Sequence, residues 1–183
     1  MNKKIWIFRG ITLVFAIATG VMIFLFSADD AIKSSKKSTE VAEALAPVMI
    51  TEYKEMTPTQ KRASVGSLSG MLRKCGHAFE YMAFGTAVTL FALSFARREN
   101  AAGKKKKSRF PTREFLLLCA IVFCFLFALC DEWHQTFVDG RSGEMKDVLL
   151  DFMGAFCCAV IVWGGYRIVE NSRVRNYVNL LNE

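Results

Sequence analysis

The chain has 183 residues, of which 52% are apolar and 22% charged, with a formal net charge of +7 and a mean hydropathy of +0.25. A soluble domain of this size could have such totals, but not this distribution: the apolar residues gather into four long blocks and the charges fall almost entirely between them. A soluble four-helix bundle would carry polar stripes every three or four residues. The stretch from Phe115 to Cys130 has none, which excludes that reading.

A bilayer core about 30 Å thick is crossed by about 20 apolar residues in a helix. The first block, 5–26, meets this length, with Arg9 near enough to its end to reach the surface. No small-x-small cleavage site follows it at Ser27-Ala28-Asp29-Asp30, so it reads as a retained helix. Segment 27–74 is too long for a plain loop. Ser27 and Asp30 form a weak helix-capping signal. Val41, Leu45, Val48 and Met49, with Ala44, follow helical spacing on one side, and Pro47 is expected to interrupt or kink that helix. Thr57-Pro58-Thr59-Gln60 reads as a fresh start, with an N-cap, a proline at the first helical position and a glutamine at the third. Val65, Leu68 and Leu72 carry a stripe onward. The expectation is one or two short amphipathic helices lying on the outer surface or capping the bundle.

The remaining spans are expected at 75–96, 115–133 and 148–169. The sequence therefore reads as a single all-α membrane domain over 1–183, with four transmembrane helices and an outer amphipathic helical segment at 27–74 between the first and second. The loop at 97–114 holds eight basic residues, including Lys104 to Lys107, against two, Arg141 and Lys146, between the third and fourth spans. By the positive-inside rule that loop and both termini are cytoplasmic. Segment 27–74 also carries eight basic residues and pulls the other way, diluted by six acidic ones. The lysine run reads as a soluble tether near anionic lipid rather than as a nucleic-acid site. Five of the six cysteines lie within apolar blocks and none has CxxC spacing, so they read as small buried side chains.

In this topology the ionisable residues of three spans share one depth. His77 and Glu80 open the second span, Asp131, Glu132 and His134 close the third, and Asp147 and Asp151 open the fourth. Ions are costly inside a bilayer, so such one-sided placement points to a shared polar cluster at the outer ends. Lys74, His77 and Tyr81 share a helix face, as do Asp147, Asp151 and Gly154. Gln135 and Glu132 sit three apart, and Gly140 reads as the turn before Arg141. Three roles fit the cluster. It can fix helix register through ion pairs such as Lys74 or His77 with Asp147 or Asp151. It can bind a polar headgroup, with Arg141 on an anion. It can also form a catalytic or metal site, although no HExxH or comparable spacing supports that.

The run Lys74-Cys75-Gly76-His77-Ala78-Phe79-Glu80-Tyr81 resembles the K-x-x-H-x-x-x-Y signature of the VanZ-like family. The run from Asp131 to Arg141 is similar to that family's D-E-x-x-Q-x-F-x-x-G-R signature. Asp147-Val148, followed by Gly154, resembles the D-V-x-x-N-x-x-G run that comes next, and the serine-rich stretch from Ser27 to Ser38 looks like the family's first outer loop. The resemblance spans about residues 5–168. Asp151 stands where the family usually has asparagine, adding a negative charge, and Cys158 where a second glycine is common. The resemblance implies a multi-pass protein of the bacterial cytoplasmic membrane, related to proteins that raise resistance to the lipoglycopeptide teicoplanin without remodelling the peptidoglycan target. It brings no catalytic mechanism, metal or cofactor. The expected function is binding or excluding an outer-face amphiphile, a lipoglycopeptide or a lipid-linked wall precursor. The alternatives are an outer-leaflet enzyme with a carboxylate–histidine pair and a structural partner of a membrane complex. The expected ligand-binding set is Lys74, His77, Glu80, Tyr81, Asp131, Glu132, Gln135, Arg141, Asp147 and Asp151, with membrane lipids as partners and no nucleic acid.

Overall fold

The computed structural model describes residues 3–96 and 111–182. Those residues form five α-helices and one short 3-10 turn, with no strand among them. The helices are α1 (Lys3–Ser27), α2 (Ala31–Met49), α3 (Pro58–Leu93), α4 (Arg113–Gln135) and α5 (Met145–Asn182); the 3-10 turn, Tyr53–Glu55, precedes α3. The lysine run and most of the expected basic loop, at 97–110, lie outside the described residues.

Three of the described helices are long and apolar enough to cross a membrane: α1, α4 and the Met145–Ser172 part of α5. Most of their side chains point away from the protein. Ile11, Val14, Phe115, Leu118, Ile161 and Ile168 are all more than half exposed, an arrangement suited to hydrocarbon rather than water. Helix α3 is different. It packs against α1, α2, α4 and α5, and buries Tyr81, Phe84, Ala87, Val88, Thr89 and Leu93. A helix wrapped by its neighbours presents less surface to lipid, so it has less need of a uniformly apolar sequence.

Backbone contact sets how tightly α3 and α5 approach. A Cβ on Gly85 would lie 2.6 Å from the Ala155 backbone, and one on Gly154 would lie 2.7 Å from the Ala78 carbonyl. Small residues at such crossings let helices gain dispersion contacts and interhelical hydrogen bonds where lipid supplies no hydrophobic drive. Between α3 and α4 the packing is aromatic, with Phe84 and Phe127 ring centroids 4.4 Å apart.

The start of α3 follows its capping chemistry. The Gln60 amide N–H donates to the Thr57 hydroxyl at 3.4 Å, and the Thr57 N–H donates to the Gln60 side-chain oxygen at 2.9 Å. From there α3 runs unbroken through position 75, so residues 58–74 are the extension of the expected second span and not a separate surface helix. Helix α2 folds back along this extension. It does not pack through the stripe of Val41, Val48 and Met49, which is exposed. Ala42 and Ala46 are buried instead, against Val65 and Leu68, and the Ser38 and Ser69 hydroxyls meet at 2.7 Å. The alanines win because they allow the closest approach, where the two hydroxyls can also bond. Pro47 does not interrupt α2 at its own position; the helix ends just beyond it, at Met49.

Candidate functional site

The C-terminal ends of α1 and α4, the N-terminal end of α5 and the middle of α3 meet at one end of the bundle. A cavity of about 190 Å³ opens there, lined by Arg73, Lys74, His77, Glu132, Gln135, Gly140, Arg141, Ser142, Glu144, Asp147, Leu150 and Asp151. Helical spacing brings the side chains in: Arg73 and His77 are one turn apart on α3, as are Asp147 and Asp151 on α5. Gly140 supplies the turn between α4 and α5 with φ of 74°, a left-handed conformation that favours glycine. That turn swings Arg141 back over the end of the bundle.

Seven residues of the set expected from sequence line this cavity: Lys74, His77, Glu132, Gln135, Arg141, Asp147 and Asp151. The other three, Glu80, Tyr81 and Asp131, lie deeper. The His77 Nδ1 is 3.6 Å from a Glu80 carboxylate oxygen. Tyr81 is fully buried with its hydroxyl beside the Asp131 carboxylate. Asp131 accepts from Ser27 Oγ at 2.9 Å and from Gln135 Nε2 at 3.4 Å. His134 turns away and stacks on Phe24 with ring centroids 4.3 Å apart.

The charges are arranged in a rim over a floor. Lys74 is ion-paired with Asp147, and that hydrogen bond holds the lysine above its ordinary value. Arg141 donates from Nη1 to the Gln135 side-chain oxygen at 3.0 Å and from Nη2 to the Phe26 carbonyl at 3.2 Å. Both acceptors are neutral. Partial burial pushes the Arg141 guanidinium below its usual range, although an arginine stays charged at any physiological pH. Glu132 accepts from the Glu144 amide at 2.9 Å, which ties α4 to the start of α5. Among the described residues no group of three or more histidine, cysteine or acidic side chains is arranged to hold a metal ion.

Four contributors went unread in the sequence: Ser27, Arg73, Ser142 and Glu144. Ser27 looks like a cap for the next helix, but it ends α1 and is completely buried against Asp131. Its position at the same end of an apolar block as the acids was the available signal. Arg73 lies one turn before His77, so the helical face already recognised could have included it.

The family model described as VanZ/LLP1 matches residues 12–169, which includes all of these cavity residues. The chain belongs to this family. No curated protein and no solved structure matches it. The VanZ/LLP1 match and the three apolar helices together make this a membrane protein. Within the matched region, the two signature runs come from separate helices and meet in space, since Lys74 and His77 of the first line the same cavity as Glu132, Gln135 and Arg141 of the second.

Proposed function

We propose that this VanZ/LLP1 protein binds the polar head of an amphiphile at the outer face of the bacterial cytoplasmic membrane, without catalysing a reaction. In this reading α1, the 75–96 part of α3, α4 and α5 all cross the bilayer, both termini are cytoplasmic, and the α2–α3 hairpin projects outward. The observation that carries it is the cavity itself. Arg141 donates to neutral oxygens and faces the cavity together with Arg73. Asp131, Asp29 and Glu132 act on it at longer range, but among the described residues no carboxylate is ion-paired with either guanidinium, so an incoming phosphate or carboxylate can take their free donors. Its position at the ends of apolar helices supports a site at headgroup depth, with the tail of the same molecule in lipid.

The ligand is a lipoglycopeptide such as teicoplanin or a lipid-linked cell-wall precursor, and teicoplanin resistance is the expected phenotype. Expression of the chain in a susceptible host should raise the teicoplanin concentration needed to stop growth and lower the antibiotic held at the cell surface. Arg141→Ala and Glu132→Gln should each reverse both effects. Susceptibility and surface binding equal to those of an empty control would remove the antibiotic version.

The second reading, an outer-leaflet enzyme, draws on the His77–Glu80 pair at 3.6 Å. It requires purified protein to turn over a lipid-linked substrate and His77→Ala to abolish that turnover.

A further inference from the structure

Under the cationic rim, the carboxylates of the site are not alike. Asp147 is met by Lys74, Glu132 accepts a backbone amide, and Asp131 is held by Ser27 and Gln135. Asp151 lines the cavity, is only 4% exposed, and has neither a hydrogen-bond nor an ion-pair partner among the described residues. Asp131, Glu132, Asp147 and Glu80 press on it with charges of its own sign, while Lys74, which also lines the cavity, is taken up by Asp147. A buried carboxylate in such surroundings either takes up a proton or receives a cation. The cavity that Asp151 faces also holds the guanidinium groups of Arg73 and Arg141, so one small ligand can meet both signs.

We propose that the cavity selects a zwitterionic headgroup, with an anionic phosphate at Arg73 and Arg141 and a primary ammonium at Asp151. The ammonium donates hydrogen bonds to a carboxylate that otherwise has none, and the phosphate takes the guanidinium donors above it. A purely anionic head would leave Asp151 without a partner. The inference rests on the cavity being a headgroup site, and it adds the ligand's second charge.

The test uses the purified full-length chain in detergent micelles, with bound lipid counted by native mass spectrometry. The probes are dioleoylphosphatidylethanolamine, dioleoylphosphatidylglycerol and free O-phosphoethanolamine. Wild type should prefer the amine lipid over the glycerol lipid by roughly tenfold or more, the scale of one charge-assisted hydrogen bond. Asp151→Asn, of nearly the same shape and without the unpaired charge, should fold and lose that preference; Asp151→Glu should keep it. Competition by free O-phosphoethanolamine identifies the headgroup alone as sufficient, and competition by the intact lipid only assigns the site to a membrane lipid. Equal affinity for the two lipids in wild type, or a preference that survives Asp151→Asn, overturns the inference. Arg141→Gln separates the two levels. If it weakens both lipids while Asp151→Asn leaves their ratio unchanged, only the ammonium assignment fails. If it weakens neither, the headgroup reading of the cavity fails with it.

Discussion

Ser27 at the end of α1 donates a 2.9 Å hydrogen bond to Asp131 on α4, a residue 104 positions away in the chain. Both side chains are buried, Ser27 completely and Asp131 to 3% exposure. The bond fixes the end of the first helix against the signature run of the fourth, just below Arg141, which itself holds the Phe26 carbonyl. Ser27→Ala leaves the carboxylate one donor short and should destabilise the protein by about 1–2 kcal/mol, given the range for interhelical and charge-assisted hydrogen bonds. Reversible unfolding in mixed micelles measures this. Ser172→Ala removes a hydroxyl that bonds only within its own helix, and is the control. Equal costs for the two changes would show that the Ser27–Asp131 contact does not hold the helices together.

The α3–α5 crossing makes a sharper demand. Gly85→Ala would drive a Cβ to 2.6 Å from the Ala155 backbone, which cannot rotate away as a side chain tip can. Overpacking of this kind costs about 1–3 kcal/mol, and here the helices would have to separate beneath the cavity. Gly66→Ala and Gly70→Ala, where an added Cβ meets nothing within 4 Å, should be neutral or stabilising by up to about 1 kcal/mol, since alanine favours helix. Membrane abundance and melting temperature of the three variants compare them directly. A Gly85→Ala protein as abundant and as stable as Gly70→Ala would mean that the two helices do not meet this closely.

The helical character and the polar residues of the site were legible in the sequence because apolar runs, caps and helix periodicity are local signals. The Thr57–Gln60 capping box and the Gly140 turn are each set within four residues. The fate of α2 was not legible. Periodicity marks Val41, Leu45, Val48 and Met49 as a face, but the choice between that face and Ala42–Ala46 depends on a partner, residues 65–69, that pattern alone does not supply. Ser27 was missed for the same reason: a hydroxyl's acceptor on a different helix leaves no trace in spacing. The unbroken passage of α3 past residue 74 was hidden by charge, because Arg73 and Lys74 look like a membrane boundary while also being good helix formers.

The Lys74–Asp147 pair carries a pH signature. Asp147 raises the lysine above its ordinary value of 10.5. A group whose value is raised on folding adds stability that is fully present below its unfolded value and disappears as pH climbs through the folded one. The melting-temperature difference between wild type and Lys74→Gln should therefore stay constant from neutral pH to about 10.5 and shrink above it. The difference will be small, because the lysine side chain is 46% exposed and exposed pairs contribute at most about 1 kcal/mol. A difference that already shrinks with falling pH near neutrality would assign the contribution to another group.

Sidedness decides whether the cavity can meet an extracellular molecule at all. Ser142 lines the cavity, and Ser172 is the last residue of the apolar Met145–Ser172 part of α5, towards the end where Arg9 donates to the Ser94 carbonyl. All six native cysteines are free thiols, with Cys75 exposed near the cavity end, so a reporter cysteine needs a background in which they are replaced. In that background, Ser142→Cys should react with a membrane-impermeant maleimide on intact cells, and Ser172→Cys only after permeabilisation. The arrangement follows from the excess of lysine and arginine at 97–114 over the short α4–α5 connection. The reverse pattern would place the rim of Arg73 and Arg141 in the cytoplasm. No lipoglycopeptide outside the cell could then reach it, and headgroup binding would survive only for inner-leaflet lipids.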